Sequence, residues 1–135
     1  MPPQILTTTV GSYPVPNWLA ALPSEQAVAD ATRVIFDTQR QAGIDLPTDG
    51  ELYRFDINHP DTNGMIDYFV GSMGGIDTCV GRSDLQAFRA KQEMGFRSKP
   101  AGIVRSDLAE GALNLLEDCQ RAADLAGGDF KFTVT

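Results

Sequence analysis

The turn Val10-Gly11-Ser12 is the first place in this sequence where residue types and spacing could do chemistry. Glycine lets a ligand approach the backbone closely, and serine adds a hydroxyl group and an N–H donor. A turn with these groups can hold a carboxylate or a phosphate. The same residues also fit a plain turn that ends a strand, so both interpretations stay open at this point.

The cluster Thr48-Asp49-Gly50-Glu51 is the second candidate. If the backbone is extended, period-two alternation places Asp49 and Glu51 on the same face. Two carboxylates in that position could bind an ammonium group, a metal ion or a hydroxyl group. The alternative is a solvated acidic turn, with an ordinary ion pair between Arg54 and Asp56 close behind it.

The other reactive side chains form no complete motif. His59 is the only histidine; it could act as a general base, but its position between Asn58 and Pro60 is more typical of a turn residue. Cys79 and Cys119 belong to no CxxC, CxH or HExxH pattern, so the sequence predicts neither a complete zinc site nor a disulfide framework. Residue types alone therefore assign no catalytic residue.

A strand, a helix and a second strand must position the two clusters. Ile5–Val10 is apolar and β-branched, which predicts the first strand. A helix is predicted over residues 25–42, because Ser24 can cap its start and Gly43 can end it. The second strand, Ile44–Thr48, follows at once, so each cluster lies at the carboxyl end of a strand.

A long, irregular, glycine-rich insertion is predicted after the second strand, and the strand–helix–strand alternation then resumes. The later predicted elements are two helical pieces (Met65–Val70 and Ser83–Met94), a strand (Phe96–Val104), a helical stripe (Ala112–Ala126) behind a capping-box pattern of Asp107 with Glu110, and a last strand (Phe130–Thr135). Strands that alternate with helices indicate an α/β fold of parallel βαβ units. In such folds chemistry collects at the carboxyl ends of the strands, where both clusters lie.

Length and charge narrow the range of functions. The chain has 135 residues, with 18 acidic and 11 basic side chains and a formal charge of −7, and this length predicts one domain. We expect no nucleic-acid or membrane partner, because phosphates and anionic lipids both attract clustered lysine and arginine. No apolar run approaches the roughly 20 residues of a membrane span. The N-terminal residues lack the pattern of a secretory signal, so we expect a cytoplasmic protein.

Several segments taken in order resemble a known enzyme family. They are TTTVGSYP, AGID, LPTDGELYRFD, NHPDTNGMIDYFVG, KPAGIVRSDL and KFTVT. Together they resemble the catalytic barrel of cobalamin-independent methionine synthase, and more closely its short, single-barrel, methionine synthase II-like relatives. The resemblance implies a TIM barrel in which zinc binds the thiol of homocysteine and makes a thiolate. That thiolate takes a methyl group from a methyl-tetrahydrofolate, without cobalamin.

The resemblance also implies roles for the two clusters. Val10, Gly11 and Ser12 match the turn that holds the polar end of the amino acid in this family. Glu51 matches the carboxylate that pairs with the ammonium group, and Asp49 lies beside it. We expect these five residues to bind substrate. Because Glu51 follows the end of a strand, we expect it to matter for ligand binding and little for folding.

The sequence departs from the family in its metal ligands and its length. The family's zinc ligands are a His-x-Cys pair, a glutamate and a further cysteine on later strands, and this chain has none of those motifs. A complete barrel needs eight strands and about 250 residues, whereas about four parallel strands are predicted here. We therefore expect the first half of a TIM barrel, truncated at its C-terminus. Alone it should bind no zinc, and it would be an enzyme only as part of the intact barrel.

Two other functions stay open. The half-barrel could be a non-catalytic binding or assembly module, and a uroporphyrinogen decarboxylase-like enzyme is a more distant alternative. The predicted edge strands Ile5–Val10 and Phe130–Thr135 would present unpaired backbone groups, and such edges favour association. We therefore expect a homo-oligomer.

Overall fold

The computed structural model describes residues 5–58, 60, 64–91 and 98–134, which fall into two compact units. The first unit lies within Met1–Asp61 and Asn114–Thr135, and the second within Thr62–Leu113. The second unit is therefore an insertion into the sequence of the first.

The described chain contains helices, one 3-10 turn and two strands. The helices are α1 (Asn17–Ala21), α2 (Glu25–Gln41), α3 (Gly64–Ser72), α4 (Arg82–Lys91) and α5 (Leu115–Ala126), the 3-10 turn is Leu52–Arg54, and the strands are β1 (Gly74–Asp77) and β2 (Ile103–Ala109). Among the described residues, no helix has both the length and the apolar character needed to cross a membrane.

Helix α2 confirms the first predicted helix. The Ser24 side chain accepts a hydrogen bond from the backbone N–H of Ala27, which satisfies one of the free N–H groups of the first turn. Gly43 has a φ of 81°, a left-handed conformation that glycine adopts without steric cost just after a helix. One face of α2 packs into the core of the first unit. That core consists of Leu19, Val28, Ala31, Ile35 and Leu52.

Three segments of the first unit lie side by side. We call them the first, second and third bridge segments: residues 7–9, 46–48 and 131–133. Thr8 pairs with Leu46 and Thr48 pairs with Lys131, and both bridges are parallel. The second bridge segment therefore lies between the other two.

Helix α5 leads into the third bridge segment. The Asn114 side chain caps it by accepting a hydrogen bond from the backbone N–H of Glu117. The prediction that Asp107 caps this helix is wrong, because Asp107 lies in β2. Helix α5 buries Ala122 and Ala126, which belong to the predicted stripe.

The second unit contains an antiparallel pair of strands. The prediction of a third parallel strand over Phe96–Val104 is therefore wrong. Residues 96–97 lie outside the described residues. The strand that is described, β2, pairs antiparallel with β1, with Ile76 opposite Val104. Sequence patterns missed β1 because it begins with Gly74-Gly75, and glycine gives no strand signal.

Candidate functional site

The chain turns sharply at Gly50 and Glu51, after the second bridge segment. Both residues are left-handed, with φ values of 70° and 59°. A Cβ at Gly50 would lie 2.7 Å from the Cβ of Tyr13, and the Gly50 carbonyl accepts a hydrogen bond from the Tyr13 N–H at 2.9 Å. In the described part of the chain, Glu51 is the one non-glycine residue with a positive φ. Backbone strain of this kind clusters at functional sites.

The Glu51 carboxylate joins residues that follow two different bridge segments. Its Oε2 accepts one hydrogen bond from Ser12 Oγ and one from Arg54 Nη1, the latter at 2.9 Å. The side chains of Arg54 and Glu51 are 5% and 6% exposed, so they form a buried ion pair. Within the described residues, Glu51 Oε1 accepts no hydrogen bond, and it is not fully enclosed. One oxygen is therefore fixed and the other is open to a donor.

Tyr53 contacts Arg54 and also forms a hydrogen bond with the third bridge segment. Arg54 Nε donates a hydrogen bond to the Tyr53 hydroxyl at 3.1 Å, and its guanidinium carbon lies 5.2 Å from the centroid of the Tyr53 ring. The Tyr53 hydroxyl donates to the Thr133 carbonyl at 3.3 Å. Burial raises the pKa of Tyr53, because a phenolate would be poorly solvated there. The hydroxyl therefore stays protonated and can donate.

Asp49 does not join the contact between Ser12 and Glu51. It is 2% exposed, and its Oδ1 accepts a hydrogen bond from the Glu51 backbone N–H at 2.9 Å. Asp49 lines a cleft between α2 and α5 that Glu51 does not line. Period-two alternation requires an extended backbone, and the left-handed residues Gly50 and Glu51 interrupt it. Burial raises the pKa of Asp49, because the charged carboxylate loses water.

The turn Val10-Gly11-Ser12 is exposed. Of its three residues, Ser12 forms a side-chain hydrogen bond with the cluster Thr48-Asp49-Gly50-Glu51. Val10 is 91% exposed. Gly11 has a φ of 90°, and a Cβ there would meet no atom within 4 Å. The Ser12 hydroxyl reaches Glu51. The structure thus brings together Ser12 and Glu51 among the five predicted site residues.

Sequence reasoning missed Gln39, which joins the first and second bridge segments. Gln39 is 4% exposed. Its Oε1 accepts hydrogen bonds from Thr9 Oγ1 at 2.6 Å and from the Thr48 N–H at 3.0 Å, and its Nε2 donates to the Thr48 carbonyl at 2.8 Å. The helical spacing could have indicated that Gln39 is buried, because it lies four residues after Ile35 on the same face of α2. A polar side chain on such a face needs partners.

The described residues do not fit a zinc ion. None of their His, Cys, Asp and Glu side chains form a group of three that could hold a metal. Cys79 is exposed and belongs to the second unit, and Cys119 is half-buried in α5 of the first unit. His59 lies outside the described residues. A catalytic zinc ion needs three protein ligands, and the described residues bring no such set together.

Archaeal methionine synthases are similar to this chain. The Pyrococcus horikoshii protein is 32% identical over 85 residues, which cover 54% of this chain and 23% of that protein. The Thermococcus kodakarensis protein is 34% identical over 85 residues with the same coverage. The Sulfolobus acidocaldarius protein is 32% identical over 81 residues, 51% of this chain and 22% of that protein. The match thus spans less than a quarter of these relatives.

No family model and no solved structure matches the chain. The methionine synthases nevertheless confirm the resemblance that the sequence motifs indicated.

Proposed function

We propose that this chain forms the amino-acid-binding part of a methionine synthase-like methyltransferase, which transfers a methyl group to the thiol of an amino acid such as homocysteine. The observation that carries the proposal is the contact between Ser12 and Glu51, which joins the ends of two parallel segments in one polar site. Similarity to proteins named methionine synthase supplies the reaction class.

The site offers a separate group for each charge of an amino acid. Glu51 Oε1 is open and can accept a hydrogen bond from the ammonium group, a charge-assisted bond stronger than a neutral one. The N–H groups of Gly11 and Ser12 donate to no group in the described part of the chain, which suits a ligand carboxylate. The Ser12 hydroxyl already donates to Glu51, so its part is to orient that carboxylate.

The three bridge segments support a place for this site in the first half of a TIM barrel. Their spatial order follows the chain order, and both bridges are parallel. Helix α2 connects the first and second segments, as a barrel requires. The methyl donor, which the family resemblance suggests is a methyl-tetrahydrofolate, and any zinc would bind to residues other than those of the Ser12–Glu51 contact.

Calorimetric titration of the full chain with L-homocysteine tests the proposal. Glu51→Gln should weaken binding about 30- to 1,000-fold, which corresponds to about 2–4 kcal/mol for a charged pair that loses one partner. Ser12→Ala should weaken binding by a smaller factor, because it leaves the carboxylate in place without its second donor. Glu110→Gln is the matched control, since Glu110 is exposed and lies in the second unit.

The fold of each variant must be checked, because Glu51 is buried against Arg54. Near-ultraviolet circular dichroism at the titration temperature serves this purpose. Folded Glu51→Gln protein that binds homocysteine as tightly as the wild type and Glu110→Gln would remove Glu51 from the ligand site and end the proposal.

A further inference from the structure

We propose that Arg54 is a positioning residue of the ammonium site, which fixes one oxygen of Glu51 so that the other is presented to the ligand. The inference rests on the proposed function and extends it to a residue to which neither the sequence motifs nor the relatives assign a role. It concerns how the site selects an amino acid, whereas the proposed function concerns only whether it binds one.

Arg54 is placed to hold Glu51 and not to hold the ligand itself. Its side chain is 5% exposed, and its Nη1 and Nε both donate to protein groups, namely Glu51 Oε2 and the Tyr53 hydroxyl. The guanidinium group is rigid and planar, so two fixed donors define the direction of the whole group. Glu51 Oε2 is therefore held on the Arg54 side.

The contact with Ser12 depends on the same oxygen. Ser12 Oγ and Arg54 Nη1 both donate to Glu51 Oε2. If Arg54 were removed, the carboxylate would keep only the exposed serine as a donor and could rotate about its last side-chain bonds. The oxygen that faces the ligand would then no longer be fixed.

Tyr53 extends this support to the third bridge segment. Its hydroxyl accepts from Arg54 Nε and donates to the Thr133 carbonyl. A continuous series of hydrogen bonds thus runs from Ser12 through Glu51, Arg54 and Tyr53 to Thr133. This series connects the turn after the first bridge segment, the turn after the second, and the third bridge segment itself.

This arrangement predicts selection by hydrogen-bond direction more than by net charge. Arg54 and Glu51 form an ion pair with no net charge, so a ligand ammonium group gains most from a correctly placed Oε1 lone pair. The preference for a ligand with an ammonium group over the same ligand without it should therefore depend on Arg54.

Titration of the full chain with two probes tests this dependence. The probes are L-homocysteine and 4-mercaptobutanoate, which lacks only the amino group. We expect Arg54→Gln to reduce the wild-type preference for homocysteine about tenfold, close to the effect of one charge-assisted hydrogen bond. Arg54→Lys should restore part of it, and Tyr53→Phe should reduce it severalfold while it preserves the ring. Arg33→Gln is the control, because Arg33 forms an exposed ion pair with Asp30 at the same spacing.

The ratio of the two affinities separates positioning from general damage. A partly unfolded variant loses affinity for both probes equally, so its ratio does not change. An unchanged ratio in folded Arg54→Gln and Tyr53→Phe would overturn the inference. Tighter homocysteine binding by Arg54→Gln would also overturn it, because Arg54 would then be a competitor of the ligand.

A structural measurement keeps this inference separate from the proposed function. If the wild type shows no preference for homocysteine, the proposed function fails. Crystal structures of the wild type and Arg54→Gln then decide the positioning role alone. Loss of the contact between Ser12 Oγ and Glu51 Oε2 in the variant supports the role, and an unchanged contact refutes it.

Discussion

Replacement of Gly50 by alanine should destabilise the first unit much more than the same replacement at Gly43. The left-handed φ values are similar, 70° and 81°, so each change costs about 1–2 kcal/mol in backbone strain. At Gly50 the new Cβ would also lie 2.7 Å from Tyr13 Cβ and 3.0 Å from Ile35 Cδ1, whereas no atom lies within 4 Å at Gly43. Ile35 is 1% exposed in the core and cannot move freely. Overpacking adds about 1–3 kcal/mol, for a total of about 2–5 kcal/mol.

Urea unfolding monitored by tryptophan fluorescence measures this difference. Trp18 is the only tryptophan and lies in α1 of the first unit, so its emission reports on that unit. The Gly43→Ala midpoint gives the backbone cost, and the further shift in Gly50→Ala gives the cost of the steric clash. Equal free energies of unfolding for the two variants would mean that the close packing of Gly50 against Tyr13 and Ile35 does not exist in solution.

The carboxylates of Asp49 and Asp45 should change the stability of the fold with pH in opposite directions. Burial raises the pKa of Asp49 above 3.8 in the folded state, so its ionised form destabilises the fold at pH values above the folded pKa, and this cost disappears as the pH falls to 3.8. The stability of Asp49→Asn relative to wild type should therefore increase from pH 3.8 towards neutral pH, and a constant difference in urea midpoints would contradict this. Hydrogen bonds from the backbone N–H and hydroxyl of Thr7 lower the pKa of Asp45 below 3.8, so its contribution is present above 3.8 and is lost as the pH falls through the folded pKa. Asp45→Asn should therefore be less stable than wild type at neutral pH, and thermal melts that show no narrowing of this difference below pH 3.8 would count against those two hydrogen bonds.

Local signals explain what the sequence predicted well. The start of α2 depends on Ser24 and its end is followed by Gly43, and both act on residues within a few positions along the chain. Local composition also indicates the two candidate clusters, Val10-Gly11-Ser12 and Thr48-Asp49-Gly50-Glu51. Their contact could not be found in that way, because Ser12 and Glu51 are 39 positions apart and meet only through the parallel arrangement of the segments before them.

Burial and long-range pairing explain what the sequence missed. The sequence places Glu51 after a strand end and predicts little effect on folding, yet Glu51 is 7% exposed and paired with buried Arg54. Removal of one partner of such a pair is usually costly, so the structure changes that expectation. The antiparallel pair of β1 and β2 was hidden because β1 is short and begins with two glycines. Closure into a TIM barrel and formation of a homo-oligomer stay predictions.

Helix α2 aligns the site although it carries none of the predicted ligand-binding residues. The Gln39 side chain forms hydrogen bonds with both Thr9 and Thr48, and the hydroxyl oxygens of those two threonines are 3.3 Å apart. Ser12 lies three positions after Thr9, and Glu51 lies three positions after Thr48. The backbone bridge pairs Thr8 with Leu46, and the contact between the two threonine hydroxyls lies just beyond it, so the two segments are held together close to the turns that carry Ser12 and Glu51. A slip of one residue in this pairing would turn each side chain to the opposite face, so Gln39 fixes the register on which the contact between Ser12 and Glu51 depends.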